Sequence, residues 1–243
     1  MPKDKRDFFA QRKYEVLKKL DKSSKKSWDE KILKLCEVIN KQKDFYTTSS
    51  CSGRITLIKN VERDKRNVVL KSWHDLINLN ELKKSLLCFE KSPQSLILKL
   101  ARSQIRELSK NVNLNSSINH NKYVNDKRGD INEFNKRNRS TSAIIFKQEP
   151  CILHVACRNV QSMKDLFEKA KLAGWKNTGA IAFNRRFILD LRSTEKLEFP
   201  IFRRGNLLVD EDFLKIVVEE ANKNLKKGWE KIERLIQISN SLN

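Results

Sequence analysis

The spacing of apolar residues along the chain predicts helices near both of its ends. One amphipathic helix is predicted over about 7–20, and a second over 28–41 has a continuous apolar stripe. Ser27 and Glu30 have the spacing of a capping box at the start of this second helix. A last, long helix is predicted to begin at Asp210, because apolar residues recur at helical spacing from there onward.

Runs of β-branched and alternating apolar residues predict strands between these helices. The predicted strands lie at about 55–58, 68–74, 143–146, 151–158, 179–183 and 186–192. Further helices are predicted over 81–87, over 94–108 and, after a cap at Ser162 and Asp165, up to a stop at Gly174. Strands and helices alternate in both halves, so the predicted class is α/β or mixed α+β.

The chain divides into two halves around a segment of different composition. Residues 110–142 are rich in Asn, Lys and Arg, and their few apolar side chains cannot bury enough surface to offset the entropy of ordering. We predict a disordered insert there, between an N-terminal half over 1–109 and a C-terminal half over 143–243 that together form one domain. The alternative is a basic arm that contacts nucleic acid.

Alternation along two predicted strands places ionisable side chains on one face. In 151–158 the cysteines fall on the apolar face, while His154 and Arg158 point to the opposite side. On the later strand, Asp190 and Arg192 share a face in the same way. Such polar groups form either a functional site or a surface that faces water, and alternation alone slightly favours the water-facing surface.

A hydroxyl-rich segment over 46–54 is harder to explain as plain surface, since it has six hydroxyl side chains and no aliphatic one. Gly53 permits a close approach of the backbone, and the guanidinium of Arg54 suits a carboxylate or a phosphate. We therefore predict a loop that cradles an anion or a cofactor. A nucleophilic Cys51 is a weaker alternative, because no His lies beside it in the sequence.

The formal charge of +21 favours a polyanionic partner such as nucleic acid, through phosphate neutralisation and counterion release. The alternative is a basic protein from a Lys-rich and Asn-rich proteome. Five cysteines without zinc-knuckle spacing predict reduced thiols, and the six glycines form no dinucleotide fingerprint or Walker loop. With no apolar run of membrane-spanning length and no secretory signal, a cytoplasmic location is expected.

Motifs that match one known family occur in order along nearly the whole chain. The most specific are 47–55 and 149–158, followed by 173–179, 191–200 and 208–211. Together they resemble the signature of the tRNA wybutosine-synthesizing protein 3 family. Only the Asn-rich insert of this chain has no counterpart in the compact members of that family. The departures lie outside these motifs: Lys26 replaces a Gly, and Trp73 replaces the Ser or Thr that usually precedes the histidine aligned with His74.

The resemblance implies a mixed α/β fold with internal duplication, as a mixed sheet or pseudo-barrel with flanking helices, and not a Rossmann-type methyltransferase. It implies methylation of the N-4 ring nitrogen of 7-aminocarboxypropyl-4-demethylwyosine, next to the anticodon of phenylalanine tRNA, with S-adenosylmethionine as the donor. The expected partner is the anticodon stem-loop of that tRNA. The enzyme is expected to act as a monomer, with no metal and no membrane contact.

Motif position also implies roles for individual residues. His154 and Asp190 are the catalytic candidates, as groups that can remove a proton; a purely structural His154 is equally compatible with the pattern. The expected cofactor-binding residues are Ser49, Ser50, Cys51, Ser52, Gly53, Arg54, Arg192 and Ser193. The expected substrate-binding residues are His74, Arg158, Asn177 and Thr178. Two rival functions remain: a non-catalytic tRNA-binding protein, and a hydrolase or nuclease that uses His154 and Asp190.

Overall fold

The computed structural model describes residues 7–18, 29–61, 64–88, 143–203 and 206–240. The predicted helix over 94–108, the predicted insert over 110–142 and the predicted cap at Ser27 lie outside the described residues. The helices are α1 (Phe8–Leu17), α2 (Glu30–Lys41), α3 (Leu79–Leu87), α4 (Val160–Leu172) and α5 (Glu211–Asn240). The strands are β1 (Phe45–Cys51), β2 (Arg54–Val61), β3 (Asp64–Trp73), β4 (Ala143–Glu149), β5 (Ile152–Cys157), β6 (Gly179–Phe183), β7 (Phe187–Arg192), β8 (Leu197–Arg203) and β9 (Asn206–Leu207).

These strands form two open sheets. The first sheet has the order β1-β5-β7-β6, and the second has the order β3-β2-β4-β8-β9. All of the described pairings are antiparallel. The mixed α/β class is therefore confirmed, and the described part of the chain shows two antiparallel sheets where a mixed sheet or a pseudo-barrel was expected.

The chain crosses from one sheet to the other at three points that lie at the same level. We call the region of these three crossings the seam. The first crosses at Ser52–Gly53, between β1 and β2, and the second crosses opposite it at Pro150–Cys151, between β4 and β5. The third crosses between β7 and β8, where Ser193 bonds to both backbone polar groups of Cys151. Gly53 adopts a φ of +93°, a conformation that favours glycine, and a Cβ there would lie 3.1 Å from the carbonyl oxygen of Glu149.

Each sheet buries one face in its own hydrophobic cluster, and α5 completes both clusters. The first half of α5 packs on the second sheet through Leu214, Val218 and Leu225. Its second half packs on the first sheet, together with α2 and α4, through Ile232 and Leu235. The apolar stripe that predicted this helix therefore continues for 30 residues because it serves two cores.

The predicted loop over 46–54 is wrong for most of its length. Phe45–Cys51 forms strand β1, which pairs with β5, and only Ser52 and Gly53 lie outside a strand. Hydroxyl side chains suit a half-exposed strand once a partner satisfies the backbone. Strand β8 was missed because it contains Pro200, which has no N–H for the ladder; a register shift lies beside its partner, Ile145.

The helix ends also refine the predictions. The predicted cap at Ser162 and Asp165 is wrong, because α4 begins earlier: the side chain of Asn159 accepts the backbone N–H of Ser162. The predicted stop at Gly174 is confirmed, with a φ of +92° directly after the cap residue of α4. No helix in the described ranges is both long enough and apolar enough to cross a membrane.

Close packing of α5 on the seam gives a first testable prediction. A Cβ at Gly228 would lie 2.7 Å from the sulfur of Cys151, and both residues are buried. Gly228→Ala is therefore expected to lower the free energy of unfolding in urea titrations by about 1 kcal/mol or more, since overpacking outweighs the better helix propensity of Ala. In the Gly228→Ala/Cys151→Ala double variant the two effects should not add.

Gly179→Ala is the control, because a Cβ at Gly179 would meet no atom within 4 Å. A Gly228→Ala variant as stable as the unchanged protein would show that the contact at the seam is not tight.

Candidate functional site

The face of the first sheet that lies opposite its hydrophobic cluster carries a row of polar side chains. In the register of the sheet, Ser49 of β1 lies opposite His154 of β5, which lies opposite Asp190 of β7. Residues that face each other in adjacent strands point to the same side. The structure therefore brings together the two predicted catalytic residues and one predicted cofactor-binding residue. We call this set, with Arg192, the polar row.

Hydrogen bonds and ion pairs link the members of the polar row. Ser49 Oγ lies 2.9 Å from His154 Nδ1, and His154 Nε2 lies 3.4 Å from Asp190 Oδ1, which is long for a hydrogen bond. The other carboxylate oxygen of Asp190 accepts a 2.8 Å hydrogen bond from Arg192. The guanidinium of Arg192 thus holds one oxygen of the Asp190 carboxylate, and the other oxygen faces the imidazole.

This geometry assigns the tautomer of the imidazole. Nε2 faces a carboxylate, which can only accept, so the neutral ring is expected to carry its proton there. Nδ1 is then free to accept the hydroxyl proton of Ser49. Ser49 is exposed and His154 is about one-third exposed, so a molecule bound on this face can reach the hydroxyl. The row can therefore move a proton from a bound molecule to His154 through Ser49.

The rows on either side of the polar row differ in character. Toward the seam, Cys51, Ile152 and Arg192 share one level of the same face. In the opposite direction, Tyr46 and Ala156 lie at the next level and are largely buried. The polar row thus has a charged side toward the seam and an apolar side away from it.

A second polar cluster lies at the seam itself. The carboxylate of Asp29, at the start of α2, accepts hydrogen bonds from the backbone N–H and the hydroxyl of Ser52, at 2.9 and 2.5 Å. His74 Nδ1 lies 3.5 Å from the same carboxylate oxygen. Asp29 therefore ties α2 to the crossing between β1 and β2, in place of capping its own helix with its side chain.

Arg54 pairs with Glu149 across β2 and β4, just beyond the seam. Burial alone would lower the pKa of Arg54, but the hydrogen bond and the charge of Glu149 raise it above its ordinary value. About 38% of the Arg54 side chain is exposed, so the guanidinium keeps free donors for an anion.

Potential metal-ligand atoms of Asp29, Cys51 and His74 lie within 4.8 Å of one another, as the sole group of this kind in the described ranges. Burial raises the pKa of the Cys51 thiol, although zinc binds the thiolate. The Asp29 oxygen that faces His74 already accepts two hydrogen bonds from Ser52. The cluster is better explained as a hydrogen-bonded link at the seam, and we propose no metal there.

Several other predicted site residues are held in structural contacts. Ser193 is fully buried and its hydroxyl accepts the backbone N–H of Cys151. Thr178 is buried and donates to the carbonyl of Trp175, while the backbone of the exposed Asn177 bonds to Arg192. Ser50 pairs with Leu153 and so faces the hydrophobic cluster.

Arg158 lies away from the seam, where it bonds to Asp7 and Asp44. Two residues of the seam were missing from the predicted site, namely Asp29 and Glu149. Glu149 stands within the segment 149–158 that resembles the family signature, and that signal could have found it.

The raised pKa of Cys51 leads to a prediction about its reactivity. A thiol whose pKa lies above its ordinary value is mostly protonated at neutral pH and reacts slowly with iodoacetamide. Mass spectrometry after short alkylation near neutral pH should find Cys88, which is exposed, modified well before Cys51. Modification of Cys51 should rise only as the pH passes above the ordinary thiol range.

Cys51→Ser and Cys88→Ser variants identify the two sites. Rapid alkylation of Cys51 near neutral pH would reveal a reactive thiolate and reopen the nucleophile interpretation.

Comparison with known proteins places these sites in context. Residues 11–239 match the family model described as Methyltransferase TYW3. The chain is 29% identical, over 92% of its length, to an Archaeoglobus fulgidus protein of which it covers 88%. That relative is named tRNA(Phe) 7-((3-amino-3-carboxypropyl)-4-demethylwyosine(37)-N(4))-methyltransferase. This chain is also 28% identical, over 93% of its own length, to the Homo sapiens tRNA wybutosine-synthesizing protein 3 homolog, of which it covers 70%.

A solved structure supports the fold. The structure of PH1069 protein from Pyrococcus horikoshii aligns with a TM-score of 0.69 and 24% identity, covering 97% of this chain and 95% of that one. The match to the family model spans almost all of the chain and confirms the family resemblance seen in the sequence. The chain therefore belongs to the TYW3 methyltransferase family and is a tRNA methyltransferase.

Proposed function

We propose that this enzyme transfers a methyl group from S-adenosylmethionine to the N-4 ring nitrogen of 7-aminocarboxypropyl-4-demethylwyosine in phenylalanine tRNA. The name of the Archaeoglobus relative supplies this substrate. The observation that carries the proposal is the series of side chains on an accessible sheet face, in which Ser49 is hydrogen-bonded to His154 and the carboxylate of Asp190 lies 3.4 Å beyond the imidazole. Removing a proton from a ring nitrogen is the one acid–base task that methylation at that nitrogen requires.

S-adenosylmethionine supplies an electrophilic methyl group on its sulfonium. The residues that fit this donor are Arg192 and Arg54, on the side of the polar row toward the seam. Arg192 Nε is a buried donor for which the described residues provide no hydrogen-bond partner. About 43% of the Arg192 side chain is exposed, and this exposed part of the guanidinium suits the carboxylate of the donor's amino-acid end. Arg54 is directed by Glu149 and offers its remaining donors to the same end of the site.

The chain's own contribution is positioning and proton transfer. The hydroxyl of Ser49 takes the proton from the ring nitrogen as it passes its own proton to His154 Nδ1. The carboxylate of Asp190 stabilises the imidazolium that results, and Arg192 holds that carboxylate in position. Because all four side chains project from paired strands, little rearrangement is needed during the reaction.

Both predicted halves contribute to this site, which supports treating them as one catalytic domain. Ser49 comes from the half over 1–109, whereas His154, Asp190 and Arg192 come from the half over 143–243. The row is complete within one chain, as expected for an enzyme that acts as a monomer.

A Ser-His-Asp series also occurs in hydrolases, so the rival function has a specific observation in its favour. In the proposed reaction Ser49 relays a proton and forms no covalent bond. A fluorophosphonate probe that labels activated serines is therefore expected to leave Ser49 unmodified. Labelling that disappears in Ser49→Ala would favour the hydrolase.

Removal of the proton acceptor gives the main test of the proposed function. In single-turnover assays with labelled S-adenosylmethionine and tRNA that carries the demethylated base, His154→Ala should slow methyl transfer by about 10²- to 10⁴-fold. Ser49→Ala should act in the same direction. Both variants should bind S-adenosylmethionine as well as the unchanged enzyme does, because in the proposed mechanism Ser49 and His154 move a proton and Arg192 and Arg54 hold the donor.

Arg192→Ala should instead weaken S-adenosylmethionine binding in calorimetry by about tenfold or more, since a charge-assisted hydrogen bond is lost. Arg192→Lys should recover part of this loss. Arg234→Ala is the control, because Arg234 lies on the exposed side of α5. Full activity of His154→Ala would show that the polar row takes no part in the reaction. Failure of the unchanged enzyme to bind S-adenosylmethionine would rule out the proposed donor.

A further inference from the structure

A cleft opens at the end of the first sheet that lies away from the seam. It lies between α1 and the turn that joins β6 to β7, and it encloses about 650 Å³. Its described lining is aromatic and arginine-rich. The members used below are Phe8, Phe9, Tyr46, Arg12, Arg185 and Arg186.

One wall of the cleft, α1, is fixed to the sheet by Arg158. The guanidinium of Arg158 bonds to Asp7 at the start of α1 and to Asp44 just before β1, each at 2.7 Å. It also lies 4.8 Å from the ring centre of Phe9, which packs on Tyr46. The hydrogen bond that Arg158 donates to Asp7 is the main cause that raises the pKa of Arg158. The wall is therefore held by the packing of Phe9 on the buried Tyr46 and by two ion pairs.

The remaining arginines of the cleft present unneutralised charge. Arg12, Arg185 and Arg186 are exposed, and within the described ranges none of them has a carboxylate partner. The single acidic residue in the described lining, Glu15, accepts a hydrogen bond from Gln11. Three free guanidinium groups around one cleft attract an anion with several charges.

Aromatic side chains stand beside these charges with their rings exposed. Phe8 at the start of α1 is 78% exposed, and Phe183 at the end of β6 is 74% exposed. Phe183 directly precedes the turn that carries Arg185 and Arg186. Exposed rings between arginines are the pattern by which proteins hold single-stranded nucleic acid, since bases stack on the rings and cations meet the phosphates.

The floor of the cleft leads to the polar row. Tyr46 and Ala156 lie in the cleft and on the same sheet face as Ser49 and His154. They are one side-chain level away, a distance of about 7 Å along a strand. A nucleotide splayed out from a strand bound in the cleft can therefore place its base on the polar row.

We infer that this cleft binds the single-stranded RNA next to the target nucleotide. Arg12, Arg185 and Arg186 contact its phosphates, and Phe8 stacks on one of its bases. The inference rests on the proposed function in one respect, because it takes tRNA as the source of the strand. It adds the surface that receives the anticodon loop, and it places the methyl donor and the RNA on opposite sides of the polar row.

The test measures affinity for an unmodified anticodon stem-loop RNA of phenylalanine tRNA by fluorescence anisotropy over a range of salt concentrations. Arg185→Ala/Arg186→Ala should weaken binding by about tenfold or more near 0.1 M salt, and should reduce the slope of log affinity against log salt by about 1 to 2. Lys226→Ala/Lys227→Ala removes the same charge from the exposed side of α5 and should change the affinity by less than about threefold.

Phe8 tests the stacking contact separately from charge. Phe8→Ala should weaken RNA binding by about tenfold, and Phe8→Trp should keep or increase the affinity of the unchanged protein. A fully paired RNA duplex of similar length should compete poorly with the stem-loop.

Equal losses in the Lys226/Lys227 and Arg185/Arg186 variants would overturn the inference, because charge anywhere on the surface would then suffice. An unaffected Phe8→Ala, or strong competition by the duplex, would also overturn it. The proposed function fails by a different result, when the unchanged enzyme does not bind S-adenosylmethionine. Calorimetry with that donor should show no change in the cleft variants.

Discussion

The seam, where the chain passes three times between the two sheets, is the constraint on which this structure depends. At the seam, the carbonyl of Ser52 accepts hydrogen bonds from the indole of Trp229 at 3.1 Å and from the thiol of Cys151 at 3.0 Å. Gly53 leaves room for the neighbouring strand, and Gly228 brings α5 onto the same point. Because backbone groups in a buried crossing must find partners, few sequences can satisfy this junction.

The site follows from that arrangement. When β1 and β5 run antiparallel through the seam, Ser49 and His154 are brought opposite each other although they are 105 residues apart. β7 then adds Asp190 and Arg192 on the other side. The second sheet and the first half of α5 contribute no side chain to the polar row. They pack together beyond the seam and so fix the direction in which β1, β5 and β7 leave it.

Local patterns in the sequence were sufficient to predict the faces of the strands but not their neighbours. Alternation correctly placed Leu153 and Val155 in the core and His154 on the opposite face, because side chains in a strand alternate whatever the partner is. The pairing of His154 with Asp190 depends on strand order and register, which are set by contacts distant in sequence. A register shift between Thr47 and Ser49 also decides which hydroxyl faces the imidazole, and no composition signal marks it.

The seam explains why the hydroxyl-rich segment was interpreted as a loop. Ser52 and Gly53 have the composition of a turn and do leave the strand pattern, but the chain continues into a second sheet instead of reversing. The serines of this segment serve three purposes that sequence could not separate: Ser49 faces the site, Ser50 faces the core, and Ser52 is bonded to Asp29.

Helix α5 has a consequence for how the protein is made. It follows all nine described strands in the chain, and it supplies one side of both hydrophobic clusters. During synthesis, the apolar faces of both sheets therefore stay incompletely covered until this helix has left the ribosome, and exposed apolar surface promotes aggregation. A chain interrupted before α5 would leave both cores incomplete at once.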